Sequence, residues 1–283
     1  MRSLSASLIL ALLSISFAGK ALDVAIINVG ESEKDARIHF KNELVELALQ
    51  ITKPEYGDFE IIKNKRQMNT SRAFRELQTG HNLSVAFAHT NTELESMALP
   101  VRVSLRKGLD SYRLLLVKKG NEHTFSGIKN IEDLKKFKVG LSPNWATYKI
   151  MQAHGFDIAD ASIYASMFKM LEGGRFDFLP RALHEVHAEV ENYEPKNDGL
   201  AIVPNVALFI PSATYMFVSP KTPRLFKRLN SGVHALNTSG QLADLIDKHY
   251  KPFLIKADIQ SRQIIKIQHS ELTSNVQVLP AVF

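Results

Sequence analysis

The chain has 283 residues, of which 45% are hydrophobic and 23% charged, a composition typical of globular proteins. Lysine and arginine number 35 against 29 aspartates and glutamates. The basic residues are scattered, and their short runs at 63–66 and 224–228 are expected on a solvated face, which argues against nucleic-acid binding. The sequence has no cysteine, which excludes disulfides, thiol catalysis and cysteine-ligated zinc.

The first 21 residues have the pattern of a secretory signal peptide. Arg2 precedes an apolar run over 8–13, and small residues follow, with cleavage predicted after Ala18 or Ala21. A membrane anchor is the alternative, but the apolar run is shorter than the roughly 18 residues that span a bilayer. Cleavage after Ala21 leaves 33 basic and 29 acidic residues. The pattern predicts an exported protein, and a bacterial periplasm suits it.

The next part of the chain alternates strands and helices. Apolar runs predict strands over 22–29, 59–62 and 83–88. Helical spacing is found at Phe40, Leu44 and Ile51, and Thr70 or Ser71 is placed to cap a helix that ends before Gly80. This order predicts a parallel sheet with helices on its faces.

A second α/β set follows an apolar strand over 112–118. Strands are predicted over 138–141, 161–165, 176–179 and 200–203, and a helix is expected to open at Pro180-Arg181. Another strand block covers 207–218, and helices are predicted over 223–236 and 241–249. The extended segments near 112–119 and 206–218 predict two crossings between lobes, as a hinge requires.

Five segments resemble a known family in their order and spacing. They are LDVAIINVGE (22–31), LSVAFAHTNTE (83–93), GLDSYRLLLVKKG (108–120), IEDLKKFKVGLSPNWAT (131–147) and MLEGGRFDFLPRALHE (170–185). In these segments the chain resembles the type 2 periplasmic solute-binding proteins, which include the polar amino-acid receptors of ABC importers. The resemblance is to a proteobacterial branch distinct from the well-studied amino-acid receptors.

The resemblance implies a two-lobed α/β fold in which each lobe is a mainly parallel sheet flanked by helices, with two hinge crossings. After a signal peptide at 1–21, lobe 1 would comprise 22–117 and 206–283, including a C-terminal tail, and lobe 2 would comprise 118–205. Ligands would bind in the cleft between the lobes. Glu31 after the first strand and Thr90 and Asn91 after the third would line it, in agreement with the rule that open α/β sheets bind ligands beyond the carboxyl ends of their strands.

Two positions depart from the amino-acid receptors. Those proteins have Thr-x-Thr-x-x-Arg after the third strand, and the arginine grips the ligand carboxylate; here Glu95 stands at the arginine position. They also have an aspartate for the ligand ammonium group near the end of the lobe-2 strand, where this chain has Pro180-Arg181-Ala182. Both departures argue against an α-amino acid held in the usual pose.

Arg181 is the strongest candidate ligand residue. At a helix entrance its guanidinium and the free N–H groups of the helix would converge on one anion, and arginine matches a carboxylate bidentately. The alternative is a salt bridge to Glu185, one turn along the helix.

The segment after the strand over 138–141 supplies a second group of candidates. Ser142, Asn144 and Thr147, with the backbone amides there, are suited to hydrogen-bond a polar ligand. Trp145 is suited to stack on a ring or a cation, although a place in the core is nearly as well supported.

Arg102, Tyr112 and Arg113 lie near the proposed cleft or hinge. Either arginine would supply the carboxylate grip that Glu95 cannot. The alternative for both is interlobe or surface pairing, which is slightly favoured for Arg113.

No catalytic or metal motif is found in the sequence. His184 and His187 are three apart, whereas the zinc-protease pattern His-Glu-x-x-His requires four. Nucleophile-elbow, P-loop and dinucleotide-binding patterns are also missing. The sequence therefore predicts a monomeric binding protein without a cofactor, which delivers a small polar, acid-bearing solute to an ABC importer. The alternatives are a receptor subunit for a membrane signalling protein and, less favoured, an enzyme on the same fold.

Overall fold

The structure is a computed structural model that describes residues 22–30, 35, 37–193 and 199–269. The predicted signal peptide and Glu31 lie outside the described residues. Within the described ranges, no helix has both the length and the apolar character needed to cross a membrane.

In chain order the helices and strands are β1 (Asp23–Ile27), α1 (Arg37–Ile51), α2 (Lys53–Tyr56), β2 (Phe59–Lys63), α3 (Thr70–Thr79), β3 (Val85–His89), α4 (Thr92–Met97), β4 (Leu99–Val101), β5 (Tyr112–Lys118), α5 (Ile131–Leu134), β6 (Val139–Leu141), α6 (Ala146–Ala153), β7 (Ile158–Asp160), α7 (Tyr164–Glu172), β8 (Leu179–Ala182), α8 (Leu183–Tyr193), β9 (Leu200–Phe209), β10 (Thr214–Val218), α9 (Pro223–Thr238), α10 (Gln241–Ala257) and β11 (Gln263–Lys266).

The first sheet has five strands in the order β2-β1-β3-β10-β4. β1 pairs in parallel with β2 and with β3. β10 comes from much later in the chain and runs antiparallel between β3 and β4. Because β1 and β3 are parallel, the segments that follow them leave the sheet at the same edge. Apolar cores cover both faces of this sheet.

The second sheet has the order β11-β9-β5-β8, and β6 and β7 form a short parallel pair beside it. β5 is antiparallel to both β8 and β9, whereas β11 is parallel to β9. The α/β class with sheets flanked by helices is therefore confirmed, but this sheet has more antiparallel pairing than predicted. The reason is that β5 brings the chain into this lobe and β9 takes it out again, so the two run in opposite directions.

The chain passes between the two sheets more than once. It crosses from β4 to β5 and returns from β9 to β10, and after α10 it crosses again to place β11 on β9. The predicted lobe boundaries, after Val117 and after Asn205, fall inside β5 and β9, and their positions stay a prediction.

Two predicted elements of the second lobe are wrong. The strand predicted over 161–165 is instead an irregular stretch over 161–163 followed by the start of α7 at Tyr164, and the strand of that region is β7. The strand predicted over 176–179 lies further along as β8, which includes both Pro180 and Arg181. β8 is the edge strand of its sheet, where a proline costs no ladder hydrogen bond. Arg181 therefore does not open a helix.

The expectation that the basic run 224–228 lies on a solvated face is wrong for Arg228, which is fully buried. Its guanidinium donates to the Asp23 carboxylate at 2.9 Å and to the Thr52 hydroxyl at 3.2 Å. It also donates to the carbonyl oxygens of residues 49, 57 and 58 at 2.7–3.1 Å. This side chain ties α9 to β1 and to the end of α1.

Candidate functional site

A cavity of about 260 Å³ lies between the two lobes, at the edge where β1 and β3 end. Its lobe-1 wall comes from α1, α3, β3 and α4, and its lobe-2 wall comes from the turn before α6, from β8 and from α8. Arg106 and Arg113, beside and on the crossing strand β5, also line it. The volume is slightly below the range of about 300–1,000 Å³ typical of sites for drug-sized ligands, so the cavity fits a small metabolite.

Three contacts join the walls of the cavity directly. The Ser71 hydroxyl donates to the Asn144 side-chain oxygen at 2.8 Å. Lys149 Nζ lies 3.0 Å from Glu93 Oε2, and both side chains are more than half exposed. Deeper in the cleft, Arg37 Nη1 lies 3.6 Å from Glu185 Oε1. These contacts between residues of opposite lobes define a closed arrangement.

Arg113 is a buried cation with incomplete hydrogen bonding. It lies in β5, opposite Leu208 of β9, and is 4% exposed. Its Nη2 lies 3.4 Å from Nδ1 of His89, and its Nε has no hydrogen-bond partner among the described residues. Burial lowers the pKa of Arg113, although the nearby Glu185 raises it. An unpaired guanidinium N–H in a buried site is costly, and an acidic group of a ligand would satisfy it.

Arg181 is also buried, but carboxylates of its own lobe surround it. It donates to Glu189 through Nε at 2.8 Å and through Nη2 at 2.5 Å, and Nη2 lies 2.8 Å from Glu185 Oε2. Its guanidinium stacks 4.5 Å from the centre of the Trp145 ring. Burial alone would lower the pKa of Arg181, but the attraction to Glu185 and Glu189 is stronger and raises it above its usual value. The structure therefore contains the salt bridge between Arg181 and Glu185 that was the alternative to ligand binding, and a second one to Glu189.

Arg106 forms a second buried ion pair at the back of the cleft. Its Nη1 lies 3.0 Å from Asp110 Oδ1 and donates to the Thr214 hydroxyl at 3.2 Å. Burial alone would raise the pKa of Asp110, but the attraction to Arg106 is stronger and lowers it below its usual value, so the carboxylate stays ionised.

Two buried histidines lie within this charged cluster. Burial, with Arg113 as the next cause, lowers the pKa of His89 to about 4. Burial, with Arg106 as the next cause, lowers the pKa of His184 to about 3. Both imidazoles are therefore neutral at pH 7. His184 packs against the Tyr250 ring at 5.0 Å, and no group of three His, Asp or Glu residues in the described ranges is arranged to hold a metal ion.

The structure brings several predicted site residues to the cavity. The residues that line it are Asn91, Arg113, Asn144, Trp145, Thr147 and Arg181. Asn91 is also the N-cap of α4, where its side chain accepts from the Leu94 amide at 2.8 Å. That these residues contact a ligand stays a prediction.

Other predicted residues lie away from the cavity lining, each in a different structural role. Arg102 is half exposed and pairs with Glu95, and the Thr90 hydroxyl donates to the same carboxylate at 2.5 Å. The Ser142 hydroxyl accepts from the Asn144 amide at 3.3 Å. The Tyr112 ring packs on Phe209, with centroids 5.0 Å apart. Arg102 therefore pairs with Glu95 away from the cavity lining, and of the two arginines Arg102 and Arg113 only Arg113 lines the cavity.

Some lining residues were missed or given another role. Ser71 was considered as a helix cap, but Asn69 caps α3 by accepting from the Arg72 amide at 3.0 Å, which leaves Ser71 at the cleft. Arg37 and Arg106 were not predicted. Arg106 lies four residues beyond Arg102, and the irregular segment between β4 and β5 has no periodicity that would indicate which of the two side chains faces the cleft.

Neither a protein-family model nor a curated protein matches the sequence, whereas solved structures do. An ancestral arginine-binding protein bound to glutamine is 17% identical with a TM-score of 0.59, covering 80% of this chain and 97% of the other. A putative L-cystine ABC transporter protein from Listeria monocytogenes is 16% identical with a TM-score of 0.56, covering 85% and 99%.

A histidine kinase sensor domain with similarity to periplasmic binding proteins is also similar, at 15% identity and a TM-score of 0.56, covering 80% of this chain and 95% of the other. At these identities the likeness concerns the fold. With sheets flanked by helices in two lobes and a cleft between them, the chain has the fold of the type 2 periplasmic binding proteins.

Proposed function

We propose that this protein is an exported solute-binding protein whose lobes close on a small polar solute that carries an acidic group. The observation that supports this most directly is the Nε of Arg113, which is buried at the cavity without a partner among the described residues. A carboxylate that accepts from Arg113 would complete its hydrogen bonding. Binding that occurs only in the closed form would shift the lobes toward closure.

Arg181 takes a different role in this proposal from the one predicted. Its donors are directed to Glu185 and Glu189, so we propose that it positions these carboxylates and the Trp145 ring at the cleft rather than gripping the solute. Asn144 and Thr147, at the start of α6, would supply polar contacts to the closed lobe.

The proposed partner is the permease of an ABC importer. Among the solved structures of similar fold is a protein described as part of a putative ABC transporter, which supports this choice. The sensor domain of a histidine kinase supports a second candidate, a receptor that signals through a membrane protein. Deleting the gene is expected to abolish uptake of the solute. Unchanged uptake with loss of a solute-dependent phosphorylation would favour the second candidate.

No chemical step is proposed, because closing on a solute requires none. The purified protein is expected to return its solute unchanged after prolonged incubation, as measured by mass spectrometry. Turnover would replace the binding proposal with an enzyme on the same fold.

A thermal-shift screen of the mature protein against carboxylic acids, amino acids and small polar metabolites tests the proposal. A solute at 100 times its dissociation constant is expected to add about 2.7 kcal/mol to the free energy of unfolding, which a raised melting temperature reveals. Arg102→Met, which changes an arginine outside the cavity, should keep the shift. A hit restricted to cations or neutral sugars would contradict the acid-bearing solute.

A further inference from the structure

One side of lobe 1 carries a group of exposed basic residues. It is formed by the end of β2, the loop that follows this strand, and the outer side of α3. We call it the basic face, and its members are Lys63, Lys65, Arg66, Arg72 and Arg75. All five residues are exposed, as predicted for the basic residues of the run at 63–66.

Hydrogen bonds hold the loop after β2 beside α3. The Asn64 side chain donates to the carbonyl oxygen of Asn82, and the Asn82 side chain donates to Glu76 Oε2 at 2.8 Å. Arg72 and Arg75 are three residues apart in α3, so they share one side of the helix, and its apolar side is buried. The fold thus brings together two groups of cations that are separated in the sequence.

The five cations of the basic face have no ion pair with a carboxylate in the described part of the chain. Their side chains also have no hydrogen bond to another described residue. A helix of lobe 2 shows the opposite pattern. In α5, Lys135 lies 2.8 Å from Glu132, and Lys136 lies 2.9 Å from Asp133. The lysines of α5 are neutralised locally, whereas the cations of the basic face are not.

The region around the basic face is positively charged. Between positions 60 and 82 five basic residues stand against two acidic ones, Glu60 and Glu76, which leaves a net charge of +3 without His81. From another part of lobe 1, the exposed Lys221 lies beside Gly80 at the end of α3. Like charges that are clustered on a surface repel one another, and an anionic surface relieves this repulsion.

The chemistry of the basic face favours a lipid surface over a shaped protein partner. Ile62, beside Lys63 in the edge strand β2, is 41% exposed and supplies an apolar side chain. Cations with an adjacent apolar group are the combination that binds the headgroup region of anionic bilayers. Side chains without fixed contacts adapt to mobile headgroups, whereas specific protein recognition relies on side chains that are already positioned.

We propose that the basic face binds the surface of an anionic lipid membrane. The lysines and arginines supply the attraction, and Ile62 enters the headgroup region. Ser71, in the same helix α3, contacts Asn144 of lobe 2 across the cleft, so membrane binding through α3 would keep the mouth of the cleft near the bilayer. This inference goes beyond the proposed function, because it does not depend on which solute the cleft binds.

Co-sedimentation with lipid vesicles tests the inference. The mature protein is used, because the apolar run at 8–13 would itself bind lipid. Vesicles of equal parts phosphatidylglycerol and phosphatidylcholine should bind the protein with a midpoint at roughly 0.1–1 mM lipid, since five cations act together near the anionic surface. At about 0.5 M salt, binding should weaken roughly tenfold or more, because the attraction is then screened within a few ångströms.

Absence of binding, equal binding to vesicles of phosphatidylcholine alone, or binding that high salt leaves unchanged would each overturn the inference. Binding to poly-glutamate without binding to vesicles would overturn it in favour of an acidic protein segment. The proposed function would stand in each case, because it rests on the cleft.

Two pairs of substitutions locate the membrane-binding surface. Arg72→Gln combined with Arg75→Gln should weaken vesicle binding roughly tenfold to thirtyfold. Lys135→Gln combined with Lys136→Gln removes the same net charge from lobe 2, and it should weaken binding less than about threefold because these lysines are paired with acids. Melting temperatures check that both variants fold. Equal losses would show that net charge rather than the basic face governs binding, which would overturn the inference.

A single label at position 62 gives a readout that leaves the cations unchanged. The chain has no cysteine, so a fluorophore on Ile62→Cys or on Ile163→Cys reports from one position. Both isoleucines are exposed, and Ile163 lies before α7 in lobe 2. Nitroxide-labelled lipids in the vesicles should quench the label at 62 at least about threefold more than the label at 163. Equal quenching, or stronger quenching at 163, would place the membrane contact elsewhere and overturn the inference.

Discussion

Arg228 in lobe 1 and Arg113 at the cleft are both buried, with 0% and 4% of their surface exposed. Arg228 donates to a carboxylate, a hydroxyl and three backbone carbonyl oxygens, all within 3.2 Å. Arg113 has a neutral histidine at 3.4 Å, and its Nε has no hydrogen-bond partner in the part of the chain that the structure describes. Burying a charge requires compensation, and only Arg228 receives it fully from the protein. The comparison indicates that Arg228 stabilises the fold, whereas Arg113 retains an N–H donor that a ligand would satisfy.

Removing Arg228 is expected to have the largest effect on stability. Arg228→Met would remove a donor from the carbonyl oxygens of residues 49, 57 and 58, and among the described residues it would leave the buried Asp23 with one ion-pair partner, the partly exposed Arg224. Breaking a buried ion pair costs about 3–5 kcal/mol, so the free energy of unfolding should fall by about that amount in urea titrations. Arg224→Met changes the other partner of Asp23, whose side chain is 40% exposed, and should cost about 1 kcal/mol or less. Equal losses would contradict the structural role assigned to Arg228.

Acid is expected to weaken the charged cluster that contains Arg113. In the folded protein the pKa of His89 is about 4, whereas it is about 6.5 when unfolded. Below pH 6.5 the unfolded chain binds a proton that the folded protein does not, so stability falls as the pH drops from about 6.5 to 4. Urea titrations at several pH values should show a loss to which His89 contributes about 3 kcal/mol and which His89→Asn therefore reduces. The same slope in both proteins would show that His89 does not titrate in this way.

Removing Arg113 should change stability much less than removing Arg228. Its guanidinium has few partners, and methionine fills a similar volume without a buried charge. Arg113→Met is therefore expected to alter the free energy of unfolding by about 1 kcal/mol or less, measured in the same urea titration. A loss as large as that of Arg228→Met would place Arg113 with the structural arginines.

The smallest effect is expected at the exposed bridge between the lobes. Lys149 and Glu93 are each more than half exposed, so water and salt screen their attraction. Lys149→Ala should weaken solute binding less than about threefold, and 0.5 M salt should remove the difference. A larger loss that persists in high salt would assign Lys149 a direct contact with the solute.

The sequence predicted the parts of the fold that repeat a simple pattern. β1, β3, β5 and β6 were predicted close to their observed positions because buried strands are continuous apolar runs. Pro180 misled the prediction of β8, since a proline is equally compatible with the first turn of a helix and with an edge strand. Which strand lies at the edge depends on pairing with distant β5, and the local sequence does not contain that information.

The site residues that directly follow a strand were predicted, whereas the roles that depend on ion pairs between side chains were not. The turn at Asn144–Thr147 was found because it follows β6. The sequence offered Arg181 as the strongest candidate and Arg102 and Arg113 as further cations, and it could not show that carboxylates engage Arg102 and Arg181. Glu189 pairs with Arg181 and lies eight residues further along the chain, in α8. Glu95 pairs with Arg102 and lies seven residues before it, in α4. Whether an arginine has a free donor is decided by such tertiary contacts.

The affinity of Arg113→Met for the solute found by screening tests the central claim most directly. Calorimetric titration should show a dissociation constant raised roughly tenfold to a hundredfold, since a charge-assisted hydrogen bond is lost while the fold is kept. Arg102→Met, measured beside it, should bind as the unaltered protein does. An unchanged dissociation constant in a folded Arg113→Met protein would contradict the claim that the solute completes the hydrogen bonding of Arg113.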